Sequence, residues 1–105
     1  MKTAFALEEN LDEAGSVVLR LHGDLDLLAA PELKERLGRV IPSAPRLVFD
    51  LTGVEFIDSA GMGLLCSALK RMRAQNRECN FIGAQGQPLR LLQISGLAAS
   101  VKQRR

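Results

Sequence analysis

Phe49-Asp50-Leu51-Thr52-Gly53-Val54-Glu55-Phe56-Ile57-Asp58-Ser59-Ala60-Gly61-Met62-Gly63-Leu64-Leu65 is the stretch on which the fold of this chain turns. Leu47, Val48 and Phe49 form a short continuous apolar run, as expected of a strand covered on both faces. The strand is expected to end at Leu51, with Thr52-Gly53 as a turn and Phe56 and Ile57 returning to the core. Asp58 and Ser59 are both favoured N-cap residues, so either is placed to open the next helix. That helix is expected over about 60–75, with Leu65, Ala68, Leu69 and Met72 on one stripe. Its later half carries Lys70, Arg71 and Arg73, which suit the negative end of the helix dipole.

Towards the N-terminus, Ser16 to His22 alternates: Val17, Leu19 and Leu21 point one way, Val18, Arg20 and His22 the other. A period of two is the mark of a half-buried strand, which Gly23-Asp24 is expected to end. Phe5 to Glu8 reads as a short edge strand, and Asn10 to Gly15 as a polar turn joining the two. A helix follows Pro31, whose missing N–H is harmless in a first turn. Its inner face carries Ala30, Leu33, Leu37, Val40 and Ile41, before Pro42 and Pro45 break the pattern. Towards the C-terminus, Cys79 to Ile82 reads as a buried strand, Leu89, Leu92 and Ile94 mark a short third helix, and Gly96 is placed to cap it. The order β-β-α-β-α-β-α, with a short remnant after it, predicts one α/β domain over 1–105. Its sheet is mixed, an opening hairpin followed by parallel strands joined through right-handed crossovers.

A chain of 105 residues, 47% apolar and 25% charged, can bury a core without metal or disulfides. Cys66 and Cys79 lie in apolar segments and read as buried reduced thiols, which fits a cytoplasmic protein. A net charge of +2, with no Trp or Tyr and four Phe, argues against a nucleic-acid partner. The N-terminus has no apolar leader, and no stretch is long enough for membrane insertion. The basic run Lys70, Arg71, Arg73 and Arg77 reads as a solvated helix face.

The chemistry concentrates at Asp58-Ser59. Gly61 and Gly63 are poor helix formers, by about 1 kcal/mol each, and bare backbone open to close approach is a reason to keep them in a first turn. A phosphate on Ser59 would meet free N–H groups and the positive end of the dipole, and would add negative charge to a surface of small residues. Hydrolysis would need a base, and His22 is the single histidine, outside any Gly-x-Ser-x-Gly elbow. Asp24, Asp26 and Asp58 read as turn formers before metal ligands, and Gly83-Ala84-Gln85-Gly86 is too short a glycine motif for a nucleotide. A receiver domain would need an acidic pair after its first strand, and Glu8-Glu9 falls within one. No cofactor or metal is implied.

Gly23-Asp24-Leu25-Asp26, then Ala30-Pro31-Glu32-Leu33, then Asp50 through Gly61 resembles the STAS domain, and within it the bacterial anti-sigma factor antagonists. The resemblance runs from about Val17 to Leu97 and is carried most specifically by Phe56-Ile57-Asp58-Ser59-Ala60-Gly61. It implies that Ser59 is the phosphorylation site, that Asp58 supports it, and that Asp24 and Asp26 sit beside it. Together with Ala60, Gly61, Met62 and Gly63 these residues would form the partner-binding surface. The implied partners are an anti-sigma factor that is also a serine kinase with an ATP-binding fold, and a PP2C-type phosphatase. Ala60 stands where many members have a second serine, and Ala29 replaces a Ser or Thr, leaving the first helix with a weaker cap. Eight residues follow Leu97, so the closing C-terminal helix of the family is expected to be lacking. Short STAS proteins also resemble the cytosolic subunit of bacterial phospholipid-transporting ABC systems, which binds the ATPase subunit. That is the alternative partner.

Overall fold

The period-two pattern that starts at Val17 becomes a strand in which every second residue, from Val17 to Leu25, is buried. The computed structural model describes residues 4–102. In chain order these form β1 (Ala6–Leu11), β2 (Val17–Leu25), α1 (Ala30–Val40), β3 (Arg46–Ile57), α2 (Ser59–Ala74), β4 (Glu78–Ile82) and α3 (Gly86–Ile94). A single 3-10 turn (Ala98–Ser100) and a short β5 (Val101–Lys102) follow. The strands make one sheet in the order β1-β2-β3-β4-β5. β1 runs antiparallel to β2, and the other neighbours are parallel. This is the mixed α/β sheet expected from the sequence: α1, α2 and α3 lie in the crossovers that parallel pairing requires.

One cluster forms the core. Leu33, Leu37 and Val40 of α1 and Leu65, Ala68, Leu69 and Met72 of α2 bury with Leu19, Leu21, Leu47, Phe49, Leu51 and Phe81 of the sheet. Phe49 and Phe81 stack across neighbouring strands, with ring centroids 5.4 Å apart. Burial pushes the Cys79 thiol up to about 12 against a weaker opposing pull from Arg73, so it stays protonated and inert in the core.

The two strand ends expected at Gly23-Asp24 and Thr52-Gly53 are not ends. β2 continues to Leu25 and β3 to Ile57, and the two stay paired, His22 with Gly53, Gly23 with Val54, Asp24 with Phe56 and Leu25 with Ile57. The register shifts between Arg20 and His22 and again between Gly23 and Asp24, so each apparent turn is an irregularity inside a continuing ladder. Glycine makes the shift possible: Gly23 lies at φ +84°, and a Cβ on Gly53 would run into the His22 ring. After the shift the buried positions change phase to Val54 and Ile57.

Smaller differences follow from packing. Val48 is only half-buried, so β3 is fully covered on one face rather than two. Asp50 is nevertheless buried, held by the Arg20 guanidinium at 3.3 Å and by the backbone N–H and hydroxyl of Thr52 at 3.0 and 2.6 Å. β1 reaches Leu11, and the turn after it is tied by Asp12, whose carboxylate accepts from the N–H groups of Ala14 and Ser16. Arg77 is not part of a solvated face: its Nη1 donates to the carbonyls of Ile41, Pro42 and Ala44 and fastens the turn between α1 and β3. Ile94 is the last residue of α3 and is exposed. Gly96, at φ +80°, ends that helix as expected, with Leu97 N–H donating to the Leu92 carbonyl. β5 lies in what the sequence left as a remnant, and the expectation of a missing closing helix concerns positions outside the described residues.

Candidate functional site

β2 and β3 end side by side, and the site grows from those ends. The Asp58 N–H donates to the Leu25 carbonyl at 3.1 Å, extending the ladder by one bond. Asp58 then adopts an extended backbone, φ −97° and ψ −175°, and begins α2 as its N-cap. Its two carboxylate oxygens do different jobs. Oδ1 accepts from Gly61 N–H at 2.9 Å and caps the helix, while Oδ2 accepts from Leu27 N–H at 3.0 Å and ties down the turn between β2 and α1. Of the two candidate caps, Asp58 is the cap. Ser59 is the first residue of the helix, exposed, with its neighbour supplying the cap.

The two glycines differ. A Cβ on Gly61 would collide with the Leu25 carbonyl and come within 2.7 Å of Leu25 Cγ. The close approach anticipated for Gly61 is therefore made by this chain's own β2. Gly63 is exposed and has nothing within 4 Å of a Cβ built on it. Gly61 and Met62, two of the eight expected partner-binding residues, are both buried and seat the helix. Ala60 is half-buried.

Asp24 sits in β2 opposite Phe56. Asp26 organises the turn that follows: its Oδ1 accepts from Leu28 and Ala29 N–H, both at 3.1 Å, and its carbonyl from Ala29 and Ala30 N–H at 3.1 and 2.9 Å. These bonds brace the turn that leads into α1, whose N-cap Ala29 makes no side-chain cap bond. Asp24, Asp26, Asp58, Ser59, Ala60 and Gly63 are thus gathered where β2 and β3 end and α1 and α2 begin.

Sequence reasoning missed three residues here and misplaced a fourth. Gln87 of α3 clasps the end of β3, its Oε1 accepting from Ile57 N–H at 2.9 Å and its Nε2 donating to the Ile57 carbonyl at 2.8 Å. No local pattern signals such a contact. Leu27 and Leu28 are large apolar side chains that remain 70% and 78% exposed, and Phe56, expected in the core, is instead 45% exposed because its neighbour Ile57 takes the inward position opposite Leu25. An adjacent Leu pair inside a turn was the available signal.

Segments 21–33 and 47–69, which build the site, contain no Lys or Arg and carry Asp24, Asp26, Glu32, Asp50, Glu55 and Asp58. His22 pairs with Glu8 at 3.4 Å and lies against Gly53, roughly 13 Å back along β3 from Ile57. It is not a base for Ser59. No three His, Cys, Asp or Glu side chains converge as metal ligands among the described residues. Nor, among them, is any helix long and apolar enough to cross a membrane. A cavity of about 550 Å³ bounded by Thr52, Gly83, Gln85, Gln93 and Lys102 includes none of the expected site residues.

Residues 7–105 match the family model described as STAS domain. The chain is 31% identical over 80 residues to the anti-sigma-B factor antagonist of Staphylococcus aureus, covering 75% of this chain and 74% of that one. Its backbone is similar to that of the anti-sigma factor antagonist SpoIIAA in its unphosphorylated form, with a TM-score of 0.84 and 20% identity over 95% of this chain and 89% of that one. The phosphorylated form of the same Bacillus cell fate determinant gives a TM-score of 0.81 and 20% identity, over 95% and 92% of the two chains.

Proposed function

This chain belongs to the STAS domain family, and from that premise we propose that it is an anti-sigma factor antagonist whose binding is switched off by phosphorylation of Ser59. The observation that carries this reading is the division of labour at the start of α2: Asp58 holds the cap, which leaves the exposed Ser59 hydroxyl available for modification. Unphosphorylated, the surface around Ser59 engages an anti-sigma factor that is also an ATP-dependent serine kinase, and so releases the sigma factor. In the transfer, Ser59 Oγ forms a bond to the γ-phosphorus, the bond from that phosphorus to the bridging oxygen breaks, ADP departs, and the hydroxyl proton passes to a base of the kinase. A PP2C-type phosphatase reverses the state by hydrolysis, with water supplying the oxygen that leaves as inorganic phosphate.

The phosphoserine carries a charge of about −1.5 to −2. At the first position of α2 it is received by first-turn N–H groups that have no intrahelical acceptor, so the fold is kept. Its charge adds to Asp24, Asp26, Glu55 and Asp58, and a partner suited to the unmodified surface is lost through repulsion and desolvation. The relatives compared above are named anti-sigma factor antagonists, which favours this partner over an ABC transporter ATPase.

The test is incubation with the purified anti-sigma kinase of the same organism and ATP, with the phosphate located by mass spectrometry. Phosphate is expected on Ser59 alone and absent from Ser59→Ala, which still binds. Ser59→Asp should bind at least about tenfold more weakly, a loss of about 1.4 kcal/mol. Equal binding by wild type and Ser59→Asp, or phosphate at another residue, overturns the reading.

A further inference from the structure

The turn from Asp26 to Ala29 has a backbone that is fully engaged and side chains that are not. Leu27 N–H is held by Asp58, and Leu28 and Ala29 N–H by Asp26, so the fold uses this turn through its amides. The Leu27 and Leu28 side chains stand in solvent, 70% and 78% exposed, where Ser, Asn or Asp would serve a turn better. Phe56, 45% exposed, lies across the strand pair from Asp24, and the Asp58 carboxylate links Leu27 to the residue next to Ser59. Folding gives no reason for three large apolar groups at this end of the sheet. The two segments that carry them, 21–33 and 47–69, hold Asp24, Asp26, Glu55 and Asp58 and no Lys or Arg.

We infer that Leu27, Leu28 and Phe56 are the apolar anchors of the docking surface, and that their occupant is an apolar cleft rimmed by Lys and Arg on the kinase that acts at Ser59. This rests on the antagonist reading and adds to it the residues that carry the affinity. The acidic rim selects a basic partner and speeds encounter, while the dry apolar centre holds it. The same layout explains why one phosphate acts as a switch: it enters at the edge of a patch already negative, beside groups whose contact depends on excluding water.

The experiment places a photo-crosslinking benzoylphenylalanine at position 28 in the native host, with the same group at Leu11, which is 73% exposed on β1, as control. Crosslinked peptides are identified by mass spectrometry, and the protein they come from is purified for titration. An ATP-binding kinase joined from position 28 but not from position 11, through a peptide with Lys or Arg flanking apolar residues, is the expected result. In titration the Leu27→Ser, Leu28→Ser double variant then binds about thirtyfold more weakly, with an unchanged melting temperature, while Leu11→Ser binds as wild type. A different protein joined through such a basic, apolar peptide, with the same loss in the double variant, keeps the anchors and removes the antagonist reading. Phosphorylation of Ser59 by a kinase that binds the double variant undiminished keeps the antagonist reading and overturns the anchors. Equal crosslinking from positions 28 and 11, or none from position 28, also overturns them.

Discussion

Helices α1 and α2 begin next to each other at the ends of adjacent parallel strands, yet their first turns are built on different plans. α1 follows a bound turn. Its N-cap, Ala29, offers no side-chain acceptor, and Asp26, three residues earlier, holds the amides of the turn leading into it. α2 follows directly from β3, and Asp58 alone closes the strand ladder, caps the helix and reaches across to the α1 turn. The difference shows how a modifiable hydroxyl can be placed at a helix start without becoming structural. When the cap lies one position upstream, Ser59 is left with an exposed hydroxyl at the positive end of the dipole. A serine that was itself the cap would lose that bond on modification.

Changes at α2 should rank by how much of this joint they remove. Gly61→Ala drives a Cβ into the Leu25 carbonyl and is expected to destabilise by about 3 kcal/mol, a fall of roughly 12–24 °C in melting temperature. A stable Gly61→Ala protein in calorimetry would mean that the helix start can shift away from β2. Asp58→Ala removes the cap and the tie to Leu27 together, for about 2 kcal/mol in urea titration, and should increase amide exchange at Leu27 and Gly61. Gly63→Ala, at an open position one turn on, should instead stabilise by about 0.8 kcal/mol through helix propensity. Ser59→Ala should move stability by no more than about 0.5 kcal/mol. A loss comparable with that of Asp58→Ala would show that the hydroxyl shares the capping, and the two plans would be less distinct than the bonds suggest.

The elements themselves were visible in the pattern. Period-two burial at Val17, Leu19 and Leu21, the stripe Leu65-Ala68-Leu69-Met72 and the Gly96 stop all fall where the sequence puts them. Both ends of the central strand pair were misread because Gly23-Asp24 and Thr52-Gly53 each look like a break when seen alone. Paired in the sheet, each irregularity adds one residue on β3 against β2, and the ladder runs on. Arg77 looked like one more surface charge because its partners, the carbonyls of Ile41, Pro42 and Ala44, lie more than thirty positions away.

Local residue chemistry determined the α/β class, the mixed sheet and the placing of Asp58-Ser59 at a helix start, since periodicity and capping act over a few residues. Tertiary structure decided what neighbours in sequence could not: that Asp58 rather than Ser59 holds the cap, that Gly61 is filled by Leu25 while Gly63 is open, and that Leu27, Leu28 and Phe56 stay exposed where β2 and β3 end. Each of these depends on the two-strand register that carries Leu25 to Ile57, a long-range pairing set by packing and not by any single segment.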